Sequence, residues 1–373
     1  MSKLMELETR LVFIDTCAYQ NKNFQFGDHI LQKLQNLLEE DKIQLLITDI
    51  TKKEIEEHLL KKSTLAIKKL NDYIHADGKI LRATPELSIH SIFDKITKHD
   101  VFNNINSKFN EFLESPHIEN ISIKDVNPEV IFNKYFANEP PFISEAKKHE
   151  FPDAFVLEAV KDVAKSRHLK IYIISTDGDM KAYAEKDENC IHLNSIDELV
   201  DLVLRNDQEL LEPITFADNV FLSLEDKIIQ RAKRTLEESQ FEVEFEGYEY
   251  LDEEVYDLEI DKIVIANKTL IEITEESAEY EVEFEVELTA TYMLPDYDSS
   301  PWDPEDKVYV FLRKNKITKT HKQKYSANID IIYSERIKAN AEISDFHFQD
   351  SVFILTEKNS EIIPTNPAYD MFE

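Results

Sequence analysis

The sequence predicts an α/β domain with a central parallel sheet over residues 1–210, followed by a β-rich α+β domain over residues 211–373. In the first 200 residues, short apolar runs alternate with longer amphipathic stretches, which is typical of strands that alternate with helices. After about residue 210, apolar residues alternate with acidic or hydroxyl residues, as in YEVEFEVELTATYM (280–293). That period of two indicates half-exposed antiparallel strands. A chain of 373 residues is also long enough for two domains.

Four short apolar runs in the N-terminal domain are predicted to be buried strands of the parallel sheet. The segments between them have apolar residues at helical spacing, and Pro152 and Asp153 favour the start of one such helix. Residues 64–145 are polar and mostly helical in pattern, so we expect a helical insertion there. The predicted strands are LVFI (11–14), QLLIT (44–48), IYIIS (171–175) and CIHL (190–193), and the predicted helices are HILQKLQNLLEE (29–40), KKEIEEHLLKK (52–62), FPDAFVLEAVKDVAKS (151–166) and SIDELVDLVLRN (195–206).

In the C-terminal domain, LEDKIIQRAKRTLEESQ (224–240) predicts one helix, and a Pro- and Asp-rich segment at 294–307 predicts a loop. Four further segments have the alternating pattern of strands. They are FEVEFEGYEY (241–250), KVYVFLRK (307–314), ANIDIIYS (327–334) and SVFILTE (351–357).

The net charge of −32 at first argues against a nucleic-acid partner, because phosphate groups are bound by Lys and Arg. Residues 1–200 carry a net charge of −8, however, and residues 201–373 one of −24. The acidity therefore belongs mainly to the C-terminal part. Metal ions bound to N-terminal acids would reduce the negative charge of that half further.

Glycine and cysteine usage excludes several classes of site. The chain has only 4 glycines, all far apart, so P-loop and Rossmann cofactor sites are excluded. Cys17 and Cys190 match neither a paired metal spacing nor a disulfide framework. There is no apolar run of the ~20 residues that a membrane helix needs, and the N-terminus lacks the apolar stretch of a secretory signal. We therefore expect a soluble cytoplasmic protein without a membrane partner.

Acidic residues follow three of the four predicted N-terminal strands. Asp15 comes directly after the first strand, Asp177 and Asp179 follow the third, and the helix after the second strand carries Glu54. If these strands are parallel neighbours, their acids converge at one edge of the sheet, and Asp153 at a helix start joins them. Clustered carboxylates raise each other's pKa, and Mg²⁺ or Mn²⁺ ions resolve that conflict because they prefer oxygen ligands. Such ions activate water and stabilise charge on a phosphodiester, so the pattern predicts metal-assisted phosphoryl chemistry.

Four segments resemble, in order and approximate spacing, the motifs of PIN (PilT N-terminus-like) nuclease domains. LVFIDTCAY resembles the opening strand with its first acid, and ITDITKKEIEEHL resembles the second motif. KKHEFPDAFVLEAV resembles the third and IYIISTDGDMKAYAE the fourth. The EFPDA motif, the long helical insertion and the extra C-terminal domain are similar to a bacterial PIN subgroup. The resemblance covers about residues 9–205.

This resemblance implies a PIN-like three-layer domain and a metal-dependent ribonuclease that hydrolyses RNA phosphodiesters. It implies one or two Mg²⁺ or Mn²⁺ ions, and family habit suggests the role of a bacterial toxin or defence effector. The implied catalytic and metal-binding quartet is Asp15, Glu54, Asp153 and Asp177, with Asp179 assisting the metal. The further implied residues are Thr16 and Ser175 as hydrogen-bond partners of the ligands, Glu150 as an alternative third ligand, and Lys147 and Lys148 as phosphate contacts.

Two other functions compete with this interpretation. A haloacid-dehalogenase-like phosphatase, with an aspartate nucleophile, also has Asp after its first strand, but it needs Asp and Thr where this chain has Cys17 and Tyr19. A catalytically inactive PIN fold that serves as a binding module typically loses acids, whereas this chain keeps each of them. RNA is favoured over single-stranded DNA because the insertion at 64–145 is not notably basic.

The role of the acidic C-terminal domain is open at this point. It would form a homodimer, recruit a regulatory protein partner, or restrain the nuclease by presenting acidic surface to the basic groups that bind RNA. The last hypothesis rests on the net charge of −24 over residues 201–373.

Overall fold

The computed structural model describes residues 6–143, 149–207, 210–244, 255–305, 307–311, 313–334, 337–356 and 360–362. The chain divides into two compact units, Met1–Gln208 and Glu209–Glu373. Among the described residues, no helix is both long enough and apolar enough to cross a membrane.

A parallel sheet forms the centre of the first unit. Its strands in the described part of the chain are β1 (Leu11–Ile14), β2 (Gln44–Thr48), β3 (Ile118–Ile121), β4 (Ile171–Ile174) and β5 (Cys190–Leu193). They lie in the order β3-β2-β1-β4-β5, and every neighbouring pair is parallel. The predicted parallel α/β fold is confirmed.

Helices cover both faces of this sheet. Because successive side chains of a strand point to opposite faces, Leu11 and Phe13 share one face of β1 and pack in a core cluster with Leu157. Val12 and Ile14 point to the other face and are also fully buried. The α-helices seen in this unit are α1 (Thr16–Asn21), α2 (His29–Glu39), α3 (Asp49–His75), α4 (Lys98–Leu113), α5 (Pro128–Ala137), α6 (Phe151–Ser166), α7 (Gly178–Ala184) and α8 (Ile196–Arg205).

Three features of this unit differ from the sequence prediction. The segment 64–145 is mostly helical, with short 3-10 helices at Asp77–Ala83, Ser88–Phe93 and Ile123–Asp125, but it also contains β3. This strand was not predicted because its two middle residues, Glu119 and Asn120, are polar and interrupt the apolar run. The helix predicted at 52–62 extends over Asp49–His75, and α1 and α7 were not predicted at all because each is only six or seven residues long.

The second unit is rich in antiparallel strands, as predicted. Its described elements are α9 (Leu211–Glu237), β6 (Phe241–Glu244), β7 (Val255–Ile273), β8 (Ser277–Asp296), β9 (Trp302–Asp303), β10 (Val308–Tyr309), β11 (Arg313–Ser334), β12 (Ile337–Phe348), β13 (Phe353–Thr356) and β14 (Ser360–Ile362). The main sheet has the order β12-β11-β8-β7, with β14 paired to β11. Alternate residues of β8 from Ala278 to Tyr292 are buried, and one of them, Tyr280, contacts α9 through Phe221, with 4.9 Å between the ring centroids.

Several boundaries in the second unit were predicted wrongly. The helix α9 begins at Leu211 rather than at residue 224, with a proline in its first turn. The predicted strand at 307–314 is divided between β10 and the first two residues of β11. β10 begins after Lys307, which has a left-handed φ of 54°, and it pairs only with the short β9. The predicted loop at 294–307 starts late, since β8 continues to Asp296 opposite β11, and it contains the short strand β9. Residues 245–250 of the predicted strand 241–250 and residue 357 of the predicted strand 351–357 lie outside the described residues.

Candidate functional site

The acids that follow the central strands lie at one edge of the parallel sheet. Asp15 directly follows β1, Asp177 comes three residues after β4, and Glu54 lies on α3, which begins directly after β2. Because β2, β1 and β4 are adjacent and parallel, their carboxyl ends lie side by side. Asp15 also joins the two central strands, since its backbone N–H donates to the carbonyl oxygen of Ile174 at 2.9 Å.

Two hydroxyl groups connect these acidic segments. Thr16 Oγ1 donates to Glu54 Oε2 at 2.9 Å, which ties the start of α1 to α3. Ser175 Oγ donates to Asp15 Oδ2 at 2.9 Å and accepts from the backbone N–H of Asp177 at 3.0 Å. Thr16 and Ser175 thus each hold one carboxylate in a defined orientation.

Asp153 lies in the same electrostatic environment. It is placed in the first turn of α6. Burial and the charges of Asp15, Glu54, Glu150 and Asp177, in that order, raise the pKa of Asp153 from 3.8 to about 8. The fourth acidic segment is thus brought to the edge of the sheet where the other three meet.

Glu150 and Asp179 extend the acidic cluster. Burial raises the pKa of Glu150, and the charges of Asp179 and Asp177 add to this increase. The carboxylate of Asp177 also caps α7, because Asp177 Oδ1 accepts from the backbone N–H groups of Asp179 at 2.7 Å and Met180 at 3.0 Å. Part of the Asp177 carboxylate is therefore used by the fold itself.

Burial also dominates the electrostatics of the two central acids. Asp15 is only 8% exposed, and burial and the charge of Asp177 raise its pKa against the opposing hydrogen bonds. Burial and the charges of Asp15 and Glu57 likewise raise the pKa of Glu54. Several carboxylates therefore share a partly desolvated region, where each disfavours the ionised form of the others.

Residues 12–180 match the family model described as PIN domain. The N-terminal unit has a PIN-like fold. The match includes all four acidic segments and covers less than half of the 373-residue chain. PIN domains are generally nucleases, so the match supports a nuclease family for this unit. Neither the curated proteins nor the solved structures contain a match to the chain. The family match does not confirm the bacterial subgroup that was predicted from the EFPDA motif and the additional C-terminal domain.

The donor set of the PIN-like unit fits the divalent metals that this family generally uses. Its side chains are carboxylates, the ligand type that Mg²⁺ and Mn²⁺ prefer, and a bound cation removes the repulsion that raises their pKa values. As placed, however, no group of three or more His, Cys, Asp or Glu side chains in the described residues is arranged to hold a metal ion. Instead, the carboxylate of Glu54 accepts from Thr16, and the carboxylate of Asp177 caps α7.

Three residues that contact the predicted site residue Ser175 or one another were not identified from the sequence: Cys17, Thr176 and His192. From the sequence, Cys17 was considered for metal-binding, disulfide and phosphatase patterns, but its Sγ lies 3.3 Å from Ser175 Oγ and accepts from the backbone N–H of Thr176 at 3.4 Å. Burial, followed by the charge of Asp15, raises the pKa of this thiol, so it stays neutral beside the carboxylate. His192 Nε2 lies 2.8 Å from the carbonyl oxygen of Ser175. No sequence spacing identifies these contacts, because they connect separate segments.

Lys147 and Lys148, the predicted phosphate contacts, lie outside the described residues. Their assignment stays a prediction. Glu150, the alternative third ligand, and Asp153 both belong to the acidic cluster, so the structure does not choose between them.

The raised pKa of Asp153 predicts a pH-dependent stability of the metal-free unit. A carboxyl whose pKa rises on folding stabilises the fold fully below its unfolded value of 3.8, and this contribution is lost as pH rises towards 8. Asp153→Asn removes the penalty. In EDTA, the wild type should lose stability as the pH rises, whereas Asp153→Asn should not. The difference in free energy of unfolding, variant minus wild type, should therefore grow by about 2–4 kcal/mol from pH 5 to pH 8.5.

Urea-dependent hydrogen exchange of peptides from β1 and β4 measures this free energy for the first unit alone. The matched control is Asp162→Asn on the same helix, because Asp162 is exposed. This control should follow the wild type at both pH values. An Asp153→Asn protein that also followed the wild type would contradict the electrostatic coupling.

Proposed function

We propose that this chain is a metal-dependent endoribonuclease whose active site is the acidic cluster of the PIN-like unit. One observation carries the proposal: acids from four separate segments, in the order of the family motifs, come together at the carboxyl edge of three adjacent parallel strands. This edge is where open α/β sheets bind their ligands.

Asp15, Glu54, Asp153 and Asp177 are the proposed ligands of one or two Mg²⁺ or Mn²⁺ ions, with Asp179 assisting. When bound, such an ion stabilises the negative charge that develops on a phosphodiester and supports activation of water. In the reaction, a water oxygen forms a bond to phosphorus, the bond from phosphorus to the leaving ribose oxygen breaks, and the water proton ends on that oxygen.

The hydroxyl groups of Thr16 and Ser175 are proposed positioning residues. Thr16 donates to Glu54 and Ser175 donates to Asp15, each at 2.9 Å, so the two hydroxyl groups fix the orientation of the two carboxylates. Lys147 and Lys148, next to the start of α6 in sequence, are the proposed phosphate contacts.

The two rival functions have weaker support. In a phosphatase with Asp15 as nucleophile, residues 17 and 19 would take part in the chemistry. Cys17 instead contacts Ser175 and Thr176, and Tyr19 is fully buried. A metal-free binding module would have no need for the repulsive cluster around Asp153. A wild-type protein that binds RNA without cleaving it would favour the binding module.

The direct test is an RNA cleavage assay with the full-length wild type. Single-stranded RNA, transfer RNA and single-stranded DNA are incubated with Mg²⁺, Mn²⁺ or EDTA, and the products are separated on a gel. We expect internal cuts in RNA with either metal, no cuts in EDTA and weaker cutting of DNA. Cleavage that persists in EDTA would contradict the metal requirement, and exclusive cutting of DNA would contradict the substrate.

A further inference from the structure

A cleft opens directly beside the acidic cluster of the PIN-like unit. It has a volume of about 330 Å³, at the lower end of the range for pockets that hold small ligands. One wall is formed by α3 and the other by the first turns of α6. Its lining residues are Ile50, Lys53, Glu54 and Glu57 from α3, and Phe151, Pro152 and Phe155 from α6.

The wall from α3 combines one apolar, one basic and two acidic side chains on a single helix face. Ile50, Lys53, Glu54 and Glu57 have the spacing i, i+3, i+4 and i+7, which places them one above another. Glu54 belongs to both the cleft and the acidic cluster. A ligand in the cleft is therefore next to whatever the carboxylates bind.

The wall from α6 is apolar and firmly supported. Phe151 packs against other rings of the unit, with centroid distances of 5.1 Å to Tyr135 and 5.0 Å to Phe142. Phe155 and Ile50 are partly buried against the hydrophobic core. The rings are thus held in place before any ligand arrives, which reduces the entropy cost of binding a flat group.

We propose that this cleft holds one unpaired base of single-stranded RNA, adjacent to the phosphodiester bound at the carboxylates. This inference rests on the proposed nuclease function. Phe151 and Phe155 contact the face of the base, and the ammonium group of Lys53 binds a neighbouring phosphate. Glu57 offers an acceptor for the amino group of a base.

The combination of neighbours favours a nucleotide over other ligands. A nucleotide joins a flat, largely apolar ring to an anionic phosphate, and the cleft joins aromatic rings and Ile50 to Lys53 and to the proposed metal ligand Glu54. Bases inside a duplex are stacked and paired, so only an unpaired base presents its face to such a wall. The site therefore predicts a preference for single-stranded RNA.

The test measures RNA binding by fluorescence anisotropy in the full-length Asp15→Asn protein, which is expected not to cut the probe. The probes are a labelled 12-nucleotide single-stranded RNA, the same strand with abasic residues, and the matching duplex. We expect the abasic strand and the duplex each to bind about 10-fold more weakly than the intact strand.

Phe155→Leu keeps an apolar side chain in the core but removes the ring face, and we expect about 10-fold weaker binding of the intact strand only. Lys53→Ala should bind the strand more weakly and reduce the slope of log affinity against log salt by about 0.7. The matched controls are Phe136→Leu, whose ring is 75% exposed and does not line the cleft, and Lys61→Ala on an exposed part of α3. Both should bind like the parent.

Equal binding of the abasic and intact strands, or unchanged binding by Phe155→Leu and Lys53→Ala, would overturn the base site. A thermal melt of Phe155→Leu that matches the parent shows that its effect is not caused by unfolding. The two proposals fail separately. Wild-type cleavage of RNA with unchanged binding by the cleft variants removes the base site alone, whereas base-dependent binding without wild-type cleavage removes the nuclease function alone.

Discussion

Asp15→Asn is expected to reduce metal-dependent RNA cleavage by at least about 10³-fold, equivalent to about 4 kcal/mol of transition-state stabilisation. Asp15 is the central acid of the cluster. It directly follows the middle strand β1, accepts from Ser175, and its charge acts on Glu54 and Asp153. Asn keeps the size of the side chain but removes one of the proposed negative ligands, so the attraction of the site for a metal ion is weakened.

A second readout separates loss of the metal from loss of the fold. The wild type should be stabilised by Mg²⁺ in a thermal melt, because a ligand that binds only the folded state stabilises it. Asp15→Asn should lose that shift while its melting temperature in EDTA stays equal or increases, since burial of the charge is relieved. Asp162→Asn, an exposed position of α6, is the control and should keep both cleavage and the Mg²⁺ shift. Full cleavage by Asp15→Asn would remove this residue from the active site.

Glu158→Gln is expected to lower the free energy of unfolding of the PIN-like unit by about 3–5 kcal/mol. Glu158 is 4% exposed and pairs with the ammonium groups of both Lys134 and Lys161, while Tyr183 Oη donates to it at 2.8 Å. Burial alone would raise the pKa of Glu158, but the hydrogen bonds and the positive charges of the two lysines together outweigh burial and lower it. Removal of the single negative charge leaves two largely buried cations without compensation.

The loss is expected to extend to the proposed active site, because Glu158 lies on α6 together with Asp153. Urea-dependent hydrogen exchange of peptides from α6 and β4 measures the loss. Glu119→Gln is the matched control: it removes the same charge from the pair with Arg167, whose side chains are 33% and 37% exposed. An exposed pair contributes about 1 kcal/mol or less, so this control should remain near wild type. Equal losses of unfolding free energy in the two variants would show that burial of the ion pairs of Glu158 does not increase their contribution to stability.

The sequence alone predicted the central elements of the PIN-like unit. The runs at 11–14, 44–48 and 190–193 coincide with β1, β2 and β5, and the run at 171–175 differs from β4 by one residue. Strands β1, β2 and β4 lie inside the sheet and are almost fully buried, so their mainly apolar residues leave a clear local pattern. The edge strand β5 has only its two end residues buried, but three of its four residues, Cys190, Ile191 and Leu193, are apolar. The edge strand β3 has no such pattern, because its two middle residues, Glu119 and Asn120, are polar.

The same distinction holds for the candidate site. Position after a strand identified Asp15 and Asp177 from the sequence, because the carboxyl end of a parallel strand is a local feature with a fixed meaning in the fold. The contact between Thr16 and Glu54 spans 38 residues, and the contact between Cys17 and Ser175 spans 158. Periodic patterns among neighbouring residues do not predict which of these side chains are in contact.

Strand and helix periods are properties of a few neighbouring residues, so the sequence determined the fold class, the order of the acids and the change to a β-rich second unit. Only the tertiary structure decided which carboxylates share a desolvated region, which hydroxyl groups hold them, and that α3 and α6 enclose a cleft beside Glu54. The physical reason is that burial and electrostatic coupling depend on distances between segments far apart in the chain, and packing of the whole unit sets those distances.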